Sequence, residues 1–142
     1  MLVVPLARVL ALADPLAHPP WRTGRGITHA AVTEALAEND LWPMPVETDA
    51  PVSVHVARIA WFVRKGWDDP IQIDVGCPGF PGYREVWPVT DGNHRLAAAA
   101  CREDAEIALE WGGSVERARH LFGADLVEAE LAHVEVVRVG EA

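Results

Sequence analysis

Asp91-Gly92-Asn93-His94-Arg95 is the stretch whose residue types and order can do chemistry. A β-type run, Glu85 to Thr90, precedes it, and the alanine-rich Leu96 to Ala100 follows. Alanine favours helix because it loses no side-chain entropy there. The pattern is therefore strand, glycine turn, helix. The first N–H groups of a helix lack internal partners and carry partial positive charge, so such a junction suits an anion. Gly92 has no Cβ, which allows close approach and positive φ. Arg95 is a permanent, bidentate phosphate donor. His94 can donate to a phosphate oxygen or move a proton near neutrality. Asp91 can bind Mg²⁺, act as a base or cap the helix. The local pattern leaves a second reading open: a capped strand-to-helix junction with Arg95 in a surface salt bridge.

Other residues could join this turn. Asp68-Asp69, before Pro70, can hold a divalent metal that bridges phosphates, or can form an exposed acidic turn. Arg22 and Arg25 stand in the proline- and glycine-rich stretch Asp14 to Gly26 and are candidate anion contacts or solvated loop charges. His18, His29, His120 and His133 are scattered, without HxH, HxxxH or HExxH spacing, so no zinc site is expected. GxSxG and GxxxxGK[ST] are both missing. The six tryptophans are read mainly as core, with base stacking as the alternative.

The elements that must position these residues follow from pattern. Leu2-Val3-Val4 reads as a short strand ending at Pro5, and Leu6 to Ala13 as a turn of helix or a connection. Thr28 caps a helix to about Glu38, with Ala31, Val32, Ala35 and Leu36 on its apolar face. After a proline-rich connection, Ser53 is expected to cap a helix from Val54 to Lys65, stopped by Gly66. Its stripe is Val56, Ile59, Ala60 and Val63, and His55 is expected at the surface or against a partner. Ile71 to Val75 alternates as a half-buried strand, with Tyr83 to Thr90 as its return strand in a hairpin. The turn helix runs from Asn93 to about Asp104, and Ala105 to Trp111 is a strand. Ser114 caps a helix from Val115 to about Leu121; Asp125 to Leu131 is a short helix, and His133 to Val139 alternates as a strand.

Length and composition bound the rest. A chain of 142 residues is expected to form one domain with a single core. At 50% hydrophobic and 23% charged, it has the balance of a soluble globular protein. The net charge of −9 leaves no global basic footprint for nucleic acid, so only a local patch could supply one. Cys77 and Cys101 have no metal-like spacing and are expected as free thiols in a reducing cytoplasm. Met1 to Ala13 lacks the build of a signal peptide, and no apolar run reaches the roughly 20 residues of a membrane span.

The order helix, Gly66-Trp67-Asp68-Asp69-Pro70-Ile71, strand, hairpin, Asp91-Gly92-Asn93-His94-Arg95-Leu96-Ala97-Ala98 resembles the ParB/sulfiredoxin superfamily, especially its small stand-alone members. Val3-Val4-Pro5-Leu6 is similar to that family's first strand, and the core of the match spans residues 52–123, after an N-terminal strand and proline-rich loops at 1–51. The resemblance implies an α+β fold: one compact domain, with a small mixed sheet and flanking helices. It implies that Gly92, Asn93, His94 and Arg95 bind nucleotide phosphates. Sulfiredoxins carry a catalytic cysteine where Asn93 stands, so their chemistry is not expected. Partition-type members bind CTP through GERRxRA, and Asn93, His94 and Ala97 depart from that pattern.

Other members of the superfamily are ATPases, DNases or small-molecule kinases, and one plasmid-encoded group inhibits DNA transfer. The expectation is therefore a nucleotide-binding domain that hydrolyses ATP, extending to metal-dependent DNase activity, in plasmid, phage or DNA-transfer biology. His94 and Asp91 would be catalytic, with Mg²⁺ held by the phosphates and Asp91 or Asp68. Two alternatives stand beside it. One is a non-catalytic effector or adaptor for a protein or DNA partner. The other is a small-molecule kinase whose acceptor meets Arg22 and Arg25.

Overall fold

The computed structural model describes the backbone of residues 1–141 and the side chains as far as His133. Its elements are β1 (Leu2–Pro5), α1 (Leu6–Leu12), α2 (His29–Ala37), α3 (Val52–Lys65), β2 (Ile71–Asp74), β3 (Val89–Asp91), α4 (Asn93–Arg102), β4 (Glu106–Gly112), α5 (Val115–Phe122) and α6 (Ala124–Glu141). The fold is mixed α+β. The strands form one sheet in the order β1-β4-β2-β3, with β4 antiparallel to β1 and parallel to β2, and β2 antiparallel to β3. Among the described residues no helix is long and apolar enough to cross a membrane.

Two apolar layers meet at α4. Leu2, Val4, Ile71, Ile73, Ile107 and Leu109 of the sheet pack with Leu6 and Val9 of α1, Phe122 of α5 and Val127 of α6. Ile27, Val32, Ala35, Ile59 and Ala60 form the second cluster, between α2 and α3. Leu96 and Ala99 face the first cluster and Ala97 and Ala98 the second, all four without exposed surface. The alanines thus serve packing as well as propensity. A helix enclosed on both sides needs small side chains to let its neighbours approach.

The capping residues Thr28 and Ser114 behave as read: Thr28 Oγ1 accepts from Ala31 N at 3.1 Å, and Ser114 Oγ from Arg117 N at 3.2 Å. Gly66, at φ 71°, ends α3 with its amide on Phe62 O. Other expectations are corrected. Helix α3 starts at Val52, two residues before the expected Val54, with Pro51 and not Ser53 as N-cap and no side-chain cap. Proline's fixed φ already suits that entry. The return strand from Tyr83 shrinks to Val89–Asp91. Residues Tyr83 to Val86 are exposed, and Pro88 has no N–H to give a ladder. The pairing that remains carries a register shift at Gln72/Ile73. His133 to Val139 is helical within α6 rather than a strand. Extending a formed helix adds a bond per residue without a new nucleus, which outweighs a short alternating pattern.

Leu109 pairs across from Leu2 and Ile71 at the centre of the sheet, with no exposed surface. Leu109→Ala is expected to lower unfolding free energy by about 2–5 kcal/mol in urea titrations.

Candidate functional site

The N-terminus of α4 opens on a cavity of about 600 Å³, walled by the turn Asp91 to Arg95, the connection Gly66 to Asp69, and Arg58 and Phe62 of α3. The amides of Asn93, His94 and Arg95 have no acceptor among the described residues; the first bonded amide is that of Leu96, on Gly92 O at 2.8 Å. Three open N–H groups at the positive end of a helix dipole are an arrangement that could hold an anion. A cavity of equal volume, lined in part by Cys77, Arg84, Gly113 and Arg117, lies at the far end of β2 beside the start of α5, where Ser114 Oγ already takes the amide of Arg117.

The side chains of the turn point to the protein more than to the cavity. Asn93 Oδ1 accepts from Trp87 Nε1 at 2.8 Å and its Nδ2 donates to Val89 O at 3.3 Å, which fastens the loop before β3. Arg95 is only 9% exposed. Its Nη1 donates to the carbonyls of Asp69 (2.9 Å) and Pro70 (3.3 Å), and its Nη2 to Asp91 Oδ2 at 3.0 Å. Three of its five N–H donors are thereby committed. The ion pair with Asp91 contributes little, because the Asp91 side chain is 71% exposed and water screens it. The bonds to carbonyls are the stronger tie, since a bond to a charged group in a buried setting is worth about 1.5–3 kcal/mol. The surface salt bridge expected as the alternative role of Arg95 is thus buried at the arginine end.

Gly92, at φ 97°, is a left-handed residue where glycine is favoured. A Cβ there would stand 2.7 Å from Ile71 Cγ2 and 3.1 Å from Arg95 Nη2. The space left by the missing side chain is filled by Ile71 and not by a ligand.

His94 lies under the indole of Trp21, ring centroids 4.3 Å apart, and its Nε2 is 3.0 Å from Nδ1 of His55. His55 has no exposed surface, which corrects its expected surface placement. Its side of α3 faces α4, and Trp21 covers both imidazoles. Burial, then the neighbouring His55, then Arg58 pull the His94 pKa down to about 3. His55 is lowered as well, chiefly by burial. That direction favours the neutral ring at pH 7, with one nitrogen as N–H donor and the other as acceptor.

Asp68, Asp69 and Asp91 share the cavity with Arg58 and Arg95. No group of three or more His, Cys, Asp or Glu side chains is placed to hold a metal among the described residues. Arg22 and Arg25 are exposed and do not line this cavity. Arg25 borders a separate depression with Thr28, Glu34 and Ser53. Their loop reaches the site through Trp21 instead. Sequence reasoning missed Trp21, His55 and Arg58. The signal available for the last two was their i, i+3 spacing, which places them on one face of α3.

Two tests follow. Gly92→Ala combines left-handed strain with the Ile71 overlap and is expected to destabilise by about 2 kcal/mol or more in chemical denaturation. The histidines give a sign to acid sensitivity. Both folded-state pKa values lie below the unfolded value of 6.5, so the unfolded chain takes protons first as pH falls. Stability is complete above that value and is lost from there toward pH 3. Between pH 6 and 5 the slope is expected to approach about 1.4 kcal/mol per pH unit for each proton, and His94→Gln to flatten it.

No family model, no curated protein and no solved structure matches the chain.

Proposed function

We propose that the cavity at the start of α4 binds the phosphates of a nucleoside triphosphate, ATP in the first instance, in a ParB/sulfiredoxin-like domain. The carrying observation is the set of unpartnered amides at Asn93, His94 and Arg95, which open beside the Arg58 guanidinium. Burial, then the Arg95 cation, lower the Arg58 pKa, yet a guanidinium stays charged at neutral pH.

The three carboxylates decide the form of the ligand. An anion alone would face Asp68, Asp69 and Asp91 against Arg58 and Arg95. A divalent cation that travels with the phosphates removes that conflict. Mg²⁺ is commonly held by one or two carboxylates plus phosphate and water, so this donor set fits it, with Asp68 and Asp91 as the residues that would hold it. Its chemistry there is neutralisation of phosphate charge. The chain's own groups do the rest. The α4 amides bind the phosphates, Arg58 adds a charge-assisted bond, and neutral His94 orients a water as acceptor for hydrolysis. Metal-dependent DNase activity is the extension of the same phosphate chemistry to a phosphodiester. A kinase would direct the transfer to a small hydroxyl acceptor, without help from Arg22 and Arg25.

A non-catalytic adaptor is the second reading. It is favoured by the inward commitment of Asn93 and Arg95, which the fold alone explains.

Thermal unfolding with ATP, with and without Mg²⁺, separates the two. Stabilisation that requires both supports the nucleotide reading, since about 2.7 kcal/mol is gained at a hundredfold excess over Kd. Arg58→Ala is expected to weaken binding about 10- to 100-fold in calorimetric titration, the loss of one charge-assisted bond. No shift with any nucleoside triphosphate and Mg²⁺ overturns the reading in favour of the adaptor.

A further inference from the structure

The two imidazoles form a closed geometry that specifies where their protons sit. Their rings are nearly parallel, at 7°, with centroids 5.2 Å apart. The Trp21 indole stacks on both, at 4.8 Å from His55 and 4.3 Å from His94. The one hydrogen bond between them joins His55 Nδ1 to His94 Nε2 at 3.0 Å, so one of these nitrogens carries a proton and the other does not. The carbonyls of Thr48 and Ala50 face the His55 ring and favour a proton on it. Nδ1 is taken by His94, so the nitrogen they act on is Nε2. That atom is fully buried and has no hydrogen bond of ordinary geometry. A bare nitrogen there would set its lone pair against carbonyl lone pairs, whereas an N–H is attracted to them at longer range. With the His55 proton on Nε2, its Nδ1 accepts, and His94 must donate from Nε2. His94 Nδ1 is then bare. Among the described residues it makes no hydrogen bond, it is not fully buried, and it belongs to a residue that lines the cavity.

We infer that His55 is a positioning residue that locks His94 as the Nε2–H tautomer, so that the cavity presents a hydrogen-bond acceptor at His94 Nδ1 and takes a hydroxyl or amine donor there rather than a phosphate oxygen. The choice of ligand group rests on the nucleotide reading; the tautomer does not. The consequence is a division of labour at one turn. Phosphate oxygens go to the amides of Asn93 to Arg95 and to Arg58. A donor group goes to His94: a sugar hydroxyl of the nucleotide, or the water or hydroxyl that attacks it. A phosphate oxygen at Nδ1 would repel the ring lone pair. Rotating the ring to offer an N–H would break the bond to His55 and leave a second buried nitrogen of His55 unpaired. The Trp21 stack opposes that rotation as well.

Long-range ¹H–¹⁵N spectra of histidine-labelled protein at pH 7 report the tautomer directly. The other four histidines are exposed, so single substitutions assign them without touching the site. His55 and His94 are both expected as neutral Nε2–H tautomers. An Nδ1–H tautomer or an imidazolium at His94 in the unmodified protein overturns the inference, whatever binds. His55→Phe keeps an aromatic ring under Trp21 and is expected to release His94 into a mixture of tautomers. If that variant does not fold, the spectrum of the unmodified protein decides. Titration with Mg·ATP and with Mg·tripolyphosphate then tests the ligand. Both are expected to move the amides of Asn93 to Arg95 and to leave His94 as the Nε2–H tautomer, with Nδ1 moved by ATP alone where the donor is a sugar hydroxyl and by both where it is water. A shift of the His94 proton to Nδ1 with either ligand overturns the donor assignment. Binding of neither overturns the nucleotide reading and the donor assignment with it, and the tautomer remains judged by the free protein.

Discussion

The buried Arg95 guanidinium is the constraint on which the site depends. It sits one turn into α4, yet its bonds reach the Asp69 and Pro70 carbonyls at the entrance to β2 and Asp91 at the exit of β3. Two strands and a helix are thus fastened at one point. The tie holds only if α4 comes close to β2, which explains the neighbouring residues. Gly92 is glycine because Ile71 occupies the place of its Cβ. The following residues are alanines because α3 closes on the other side. An arginine chosen for binding a ligand would not need to be so deeply engaged. What it leaves free is the backbone of the turn, whose amides at Asn93 to Arg95 have no acceptor among the described residues.

The chemistry of the cavity is set by opposed charges and by a ring that stays neutral. Arg58 and Arg95 face Asp68, Asp69 and Asp91, so the cavity suits a phosphate accompanied by a cation better than a bare anion. His94 lies at the positive end of a helix, buried beneath Trp21 and beside a second imidazole, and each of these opposes its protonation. On the proposed reading its use is as an acceptor that orients a donor. The side chains of Asn93 and Arg95 are bonded to the protein, and the amides of the turn stay open.

Much of the frame was legible locally. The caps at Thr28 and Ser114, the stop at Gly66, the alternation of Ile71 to Asp74 and the strand-turn-helix at Gly92 each depend on a few adjacent residues. What was missed depends on distant packing. His55 reads as a surface residue near a helix start, and only the approach of α4 buries it. Arg58 and Trp21 are brought to the turn from elements 37 and 73 positions earlier than Arg95 and His94, a juxtaposition no local pattern encodes. Arg22 and Arg25 show the converse, since both are exposed and neither lines the cavity. Their charge drew attention in an acidic chain, while the apolar residue beside them turned inward. The β-type run before the turn failed for a simpler reason, since Pro88 cannot donate to a ladder.

The central claim is that phosphate is held by the backbone at the start of α4. Amide ¹H–¹⁵N shifts on titration with Mg·ATP test it at residue level. The account expects the largest saturable shifts at Asn93, His94 and Arg95, with smaller ones along Gly66 to Asp69. Shifts that leave these amides unmoved, or that centre on the cavity lined by Cys77, Arg84 and Arg117, contradict it.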